Sequence, residues 1–255
     1  MILESAQAIV SGGASGLGLA VATEIADAGG QVTILDINEE AGNAAVAQVG
    51  SGASFVRTDV SDDASVSAAV DFAVEKMGGI TLSVNCAGII GAGLALGKNG
   101  PMPASKFEQV LKVNLLGTFL LARTCANAMR DNPETENGER GVIINTASVA
   151  AFEGQIGQSA YSASKGGIVG MTLPLAREFA RDGVRVMTIA PGIFLTPMME
   201  ALPEHVQESL ASQIPFPRRM GKPAEFARMV TSIYANPMLN GTTIRLDGAI
   251  RMQPK

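Results

Sequence analysis

The chain has 255 residues, 47% of them hydrophobic and 17% charged, with a mean hydropathy of +0.24, which provides for a large core and excludes a disordered linker. A net charge of −5 with no basic run excludes nucleic acid and an anionic membrane surface as first-choice partners. Cys86 and Cys125 form no CxxC and His205 is the lone histidine, so a zinc site, a disulfide framework and a histidine-dependent triad lack their raw material.

The opening MILESAQ carries Glu4 and no basic segment, so no secretory signal is read and cytoplasmic residence is the expectation. Residues 5–23 and 77–97 are uncharged, but repeated glycines make them strands ending in turns rather than membrane spans. Short apolar runs without alternation recur at 8–10, 31–36, 54–59, 82–85, 142–146, 184–190 and 243–247, which suits strands covered on both faces. Helical spacing separates them. Leu17, Val21, Ile25 and Ala28 share one face, Val66, Val70, Ala73 and Met77 another, and a long helix contains 107–129. The expectation is an α/β Rossmann fold over 1–255 as one domain: a doubly wound, seven-stranded parallel sheet with helices on both faces. Loops at 97–105 and 131–141, rich in Gly, Pro, Asn and charge, read as surface insertions.

After the first strand comes Ser11-Gly12-Gly13-Ala14-Ser15-Gly16-Leu17-Gly18, opening a helix. Its glycines let the backbone turn sharply and let a pyrophosphate approach the helix N-terminus, although a glycine triplet alone also fits a tight turn. The second strand ends at Asp36, where a carboxylate can bond ribose hydroxyls, or simply cap the next helix. A 2′-phosphate would meet that charge, and Ser15, Ile37 and Asn38 offer no cation, so NAD is expected over NADP. Asp59 and Val60 suit an adenine, and Gly88 in Asn85-Cys86-Ala87-Gly88 allows close approach to a ribose. Cys86 reads as a small buried hydrophobe.

Tyr161 and Lys165 lie four apart on one helical face. A phenol ionises near pH 10, and an ammonium a few ångströms away, aided by a positive nicotinamide, is expected to lower that value so that Tyr161 serves as general acid or base. Ser148 ends the fifth strand, where its hydroxyl can hold a substrate oxygen. Taken singly, these residues also fit a surface tyrosine, a solvated lysine and a turn serine.

Together, SGGASGLG, NCAG, Ser148, YSASK and Pro191-Gly192 resemble the short-chain dehydrogenase/reductase family over essentially the whole chain, with Ser11 in place of a usual threonine and Cys86 in place of an asparagine. Residues 141–174, 184–194, Phe216-Pro217 and 244–254 resemble more narrowly the type II 3-hydroxyacyl-CoA dehydrogenase group. The resemblance implies a catalytic set of Asn114, Ser148, Tyr161 and Lys165, with Asn114 kinking the long helix and holding a relay water. It implies an NAD site built from Gly12, Ser15, Gly16, Leu17, Gly18, Asp36, Asp59, Val60, Asn85, Cys86, Ala87, Gly88, Tyr161, Lys165, Pro191, Gly192, Phe194 and Thr196, with Ser148 and Tyr161 on the substrate.

The implied activity is reversible oxidation of a 3-hydroxyacyl-CoA by NAD, with a hydroxysteroid dehydrogenase, a 3-oxoacyl carrier-protein reductase or a dinucleotide-binding scaffold as alternatives. No metal is implied. Prolines 197, 203, 215 and 217 break 194–217 into short pieces whose Leu195, Met198, Met199 and Leu202 suit a substrate lid or a helix packed on the core. His205, Arg218, Arg219, Lys222 and Lys98 read as solvated before they read as contacts for coenzyme A. Gly166, Gly167 and Gly170 are costly inside a helix, so a close-packed neighbour is expected there. The resemblance implies a homotetramer, with 246–254 at a subunit contact.

Overall fold

The computed structural model describes residues 1–98 and 100–254, the Met198 side chain excepted. Strand β1 (Gln7–Ser11) leads through α1 (Gly16–Asp27) to β2 (Gln31–Asp36), and α2 (Glu39–Val49) leads on to β3 (Ala53–Arg57). The chain then crosses through α3 (Asp63–Met77) to β4 (Leu82–Asn85), on the other side of β1. A small hairpin of β5 (Leu96–Gly97) and β6 (Gly100–Pro101) precedes α4 (Ala104–Leu111), a wide π turn (Lys112–Leu116) and α5 (Gly117–Met129). The rest is β7 (Gly141–Thr146), α6 (Ser159–Phe179), β8 (Val184–Pro191), α7 (Pro197–Glu200), α8 (Glu204–Ser212), α9 (Pro223–Ala235) and β9 (Thr243–Leu246).

All neighbours in the seven-stranded sheet, ordered β3-β2-β1-β4-β7-β8-β9, are parallel. Continuous burial of β7 and β8 explains their unbroken apolar runs, because helices cover both faces. One face packs Val10, Ile34, Val84 and Ile144 against Val21 and Ile25 of α1 and Phe226 and Val230 of α9. The other packs Ile9, Leu35 and Ile143 against Val70 of α3, Leu121 of α5 and Leu175 of α6. The strand order reverses between β1 and β4, which opens a crevice at their carboxyl ends, where α/β sheets of this kind bind ligands.

The seven expected strands are all present, β2 and β4 with the expected bounds and the other five with ends shifted by one or two residues. β3 stops at Arg57 because Thr58 Oγ1 turns back to Val56 O at 3.0 Å and Asp59 engages Ser61. The segment 131–141 is less superficial than expected: Glu139 is buried, and its Oε1 accepts from Nε of Arg185 on β8 at 2.6 Å. Arg185 donates its other N–H groups to the carbonyls of Ile233, Tyr234 and Leu239, so this pair ties the insertion to the end of α9. Among the described residues, no helix is long and apolar enough to cross a membrane, and no cluster of three His, Cys, Asp or Glu could hold a metal ion.

Candidate active site

The loop after β1 is shaped by close approach. Gly12 has φ of 63°, and a Cβ there would lie 2.8 Å from Ala87 N; a Cβ on Gly18 would collide with the Gly12 carbonyl. This glycine cradle opens onto a cavity of about 570 Å³ at the switch point. Of the expected cofactor residues, Gly12, Ser15, Gly16, Leu17, Gly18, Asp36, Asp59, Val60, Cys86, Ala87, Gly88 and Thr196 line it. Ile37, Thr58, Ile89, Gln109 and Val113 line it too, without any motif that marks them in the sequence.

Six expected contacts are not brought to this wall, Tyr161 and Lys165 among them. Asn85 is buried beneath it, and its Nδ2 donates to Asn145 Oδ1 at 2.7 Å across the β4–β7 pair. Pro191 is buried at the end of β8. Gly192 is there because a Cβ would lie 2.9 Å from Asp247 Cα. Phe194 packs edge-on against Phe226, centroids 6.4 Å apart, in the core beneath α1 and α9.

Both Asp36 oxygens are oriented: Oδ2 accepts from Ala14 N at 3.3 Å and Oδ1 from Asn38 N at 3.1 Å, tying the glycine loop to the end of β2. Arg57, the register neighbour of Asp36 on β3, is a cation that lies outside the motif and escaped the sequence reading. Asp59 accepts from Ser61 Oγ at 2.7 Å and Ser61 N at 2.9 Å, and these bonds hold its carboxyl below the usual range, with Lys112 and Arg57 assisting.

The remaining candidates converge behind Gly88. A Cβ on Gly88 would lie 3.1 Å from Asn114 Oδ1 and 3.7 Å from Lys165 Nζ. Asn114 is fully buried at the centre of the π turn, which interrupts the long helix where the resemblance implied a kink. Its side chain accepts from Ile89 N at 2.8 Å and donates to Ile89 O and Ser164 Oγ at 2.9 and 3.0 Å, pinning the cavity wall to α6. Ser148 caps a short turn by accepting from Ala150 N at 3.1 Å. Lys165 is buried, donates to Thr146 O at 2.7 Å, and lies 5.7 Å from the centroid of the half-buried Tyr161 ring.

The electrostatics depart from expectation. Burial raises the Tyr161 phenol above its ordinary value, opposed by its hydrogen bond with Ser148, and the lysine does not reverse that. Lys165 is itself brought down to about 8 by burial, and its ammonium is directed at Thr146 O. Cys86 accepts from Thr146 Oγ1 at 3.5 Å and burial pushes its thiol up to about 11, which suits packing rather than nucleophilic chemistry. Arg219 is committed to Glu225 by a fork at 2.8 and 2.7 Å, and His205, Arg218 and Lys222 are exposed. The Met198 side chain, one of the apolar candidates for the lid, lies outside the described residues.

A glycine-cradled crevice at the switch point, with Tyr161 and Lys165 behind it, defines a dinucleotide-dependent oxidoreductase. The chain belongs to the short chain dehydrogenase family, whose sequence profile matches residues 6–207. It is 53% identical over 249 residues to human (Homo sapiens) 3-hydroxyacyl-CoA dehydrogenase type-2, covering 97% of this chain and 95% of that protein. The protein of the same description from Drosophila melanogaster is 48% identical over 255 residues, covering 99% and 100%. A crystal structure of 3-hydroxyacyl-CoA dehydrogenase type-2 from Mycobacterium avium superposes with a TM-score of 0.93 at 40% identity, over 99% of this chain and 98% of that one.

Proposed function

We propose that this chain oxidises a 3-hydroxyacyl-CoA to the 3-oxoacyl-CoA, reversibly and with NAD, in the degradation of fatty or branched acyl-CoA. The observation that carries this reading is near-full-length identity of about half to 3-hydroxyacyl-CoA dehydrogenase type-2 from two animals, in a chain that assembles Asn114, Ser148, Tyr161 and Lys165 at one end of its sheet.

The residues fit a dinucleotide: the cradle leaves no room for Cβ atoms at Gly12 and Gly18, and the cavity beyond it has about 570 Å³. Gly12, Gly16 and the start of α1 would hold the pyrophosphate, Asp36 the ribose hydroxyls, and Asp59 with Val60 the adenine. The Asp36 carboxylate would repel a 2′-phosphate, which favours NAD. When bound, the cofactor supplies the hydride acceptor and a positively charged ring. In the protein, Tyr161 takes the substrate hydroxyl proton while Ser148 donates to the oxygen as it becomes a carbonyl. Because burial holds the phenol high, proton removal from Tyr161 depends on positive charge at the site, from Lys165 and from the bound cofactor. The proton that Tyr161 gives up leaves past Lys165, whose ammonium first passes one of its own protons on to solvent and then takes up the one from Tyr161, and Asn114 orders the path behind Gly88.

The segment 194–217 acts as a lid in this reading. Thr196 and Pro197 line the cavity, while α8 buries no residue and so lacks the core packing of a fixed helix. Leu116, Phe119 and Leu173 are exposed, and Gly170 has open space about it, which suits a contact between subunits of a cytoplasmic homotetramer. The test is the initial rate of acetoacetyl-CoA reduction with NADH, beside NADPH and beside a simple steroid ketone. Fast turnover with NADH and the thioester supports the reading; saturable NADH binding without thioester turnover moves the substrate to another secondary alcohol.

A further inference from the structure

The connection between Ser148 and Tyr161 is held from two sides. On one side, Glu153 makes a forked pair with Arg245 of β9 at 2.8 and 2.9 Å. Arg245 also donates to Asp247 Oδ2 at 2.7 Å and Ile250 O at 3.1 Å, and its guanidinium lies 5.2 Å from the centroid of Phe152. Arg251 reaches the same two carboxylates, 3.4 Å from Glu153 and 3.3 Å from Asp247. Two positive and two negative side chains thus close a balanced network. The C-terminal tail follows it, because Gln155 Nε2 donates to Gln253 O at 3.1 Å and Ile156 N to Pro254 O at 3.0 Å. On the other side, Gly93 N donates to Gly157 O at 2.8 Å.

What is held in this way borders the reaction site. The connection begins one residue after Ser148, and Gly154 packs so tightly on Ser162 Oγ that a Cβ would collide with it, next to Tyr161. Ala150, Phe152 and Ile156 form one wall of a second pocket of about 500 Å³, and Leu94 and Leu96 form the facing wall. Partly exposed ion pairs contribute little to stability, but a forked guanidinium–carboxylate pair fixes direction, which an apolar contact does not. Glu153 touches neither the dinucleotide cavity nor any of the four catalytic candidates.

We propose that the second pocket receives the thioester and that Glu153 and Arg245 are positioning residues: their pair fixes the Ser148–Tyr161 connection in the shape that forms one wall of that pocket, and so sets affinity for the thioester rather than the rate of the chemical step. The proposal rests on the function proposed above for its substrate. In Glu153→Gln, the KM for acetoacetyl-CoA rises about tenfold while kcat and the Kd for NADH stay within about twofold. The Ile156 amide exchanges with solvent at least about tenfold faster, and the amides of β7 and β8 are unchanged. Arg245→Lys behaves like Glu153→Gln, because an ammonium cannot make the fork. Arg251→Ala, which removes the exposed member, moves KM and exchange the same way by a smaller factor and serves if Glu153→Gln does not fold. Unchanged KM and unchanged exchange in a folded variant overturn the proposal, as do losses of kcat and NADH affinity in step with KM. If the native protein binds NADH but leaves the thioester untouched, the functional reading has failed. The Ile156 exchange rate then decides the positioning role by itself: faster exchange in the variants supports it, and native exchange overturns it.

Discussion

Replacing Lys165 by methionine separates what a buried ammonium costs the fold from what it contributes to catalysis. Lys165 is 4% exposed, and burial brings its ammonium from 10.5 down to about 8. Below about pH 8 the folded and unfolded chains both carry the proton, and the folded state bears the full cost of burying charge. Between about 8 and 10.5 the folded chain releases its proton first, so the unfolded chain binds more protons and stability rises with pH. At about 1.4 kcal/mol per pH unit, that gap is worth about 3 kcal/mol. Methionine also strips the Thr146 carbonyl of a donor at 2.7 Å, which costs about 1–3 kcal/mol at every pH and leaves the slope untouched. The assay is denaturant unfolding of both proteins at one fixed concentration across this range. The stability of the native protein minus that of Lys165→Met should climb by up to about 3 kcal/mol from about pH 7 to about 10.5. Parallel profiles, or a difference that falls with pH, would refute the argument.

Three further outcomes follow from the geometry. The native protein should bind NAD at least about tenfold more tightly than NADP, and Asp36→Ala should narrow that ratio because the repelling carboxylate is gone while its register neighbour Arg57 remains; equal native affinities would contradict the assignment. Arg185→Met leaves the Glu139 carboxylate buried without its partner and should cost about 3–5 kcal/mol in denaturant unfolding, with part recovered in the Arg185→Met/Glu139→Gln double variant. Gly18→Ala forces a Cβ against the Gly12 carbonyl, so NADH titration should show affinity reduced at least about tenfold in a chain that still folds, and native affinity would remove the cradle argument.

The sheet was legible because parallel strands covered on both faces read as unbroken apolar runs; the stretches 31–36 and 82–85 match β2 and β4 residue for residue. The glycine loop was legible from its motif, and Gly18 answers to a local contact with the Gly12 carbonyl, whereas Gly12 answers to Ala87 at the distant end of β4. What escaped depends on burial and on partners distant in the chain. Nothing in ENGERG distinguishes Glu139 from a solvated loop acid, because its partner Arg185 lies 46 residues further on. Asn85 sits in a recognisable motif, yet its bond to Asn145 belongs to the β4–β7 pairing. Tyr161 and Lys165 lie side by side on α6, as their spacing predicts, whereas burial, which spacing does not reveal, raises the phenol instead of lowering it. The wide turn at 112–116 has no periodic signature, since its residues continue a helical pattern on both sides, and only the resemblance pointed to a kink at Asn114.

The central claim is that Tyr161 carries the proton at a site the dinucleotide occupies independently. Its most direct test is one rate comparison: native protein and Tyr161→Phe, each saturated with NADH, mixed with acetoacetyl-CoA while NADH loss is followed. The account predicts unchanged NADH affinity and a rate at least about 100-fold lower in the variant. A variant that keeps its rate within about tenfold of native, with NADH bound, would show that the proton moves by another group.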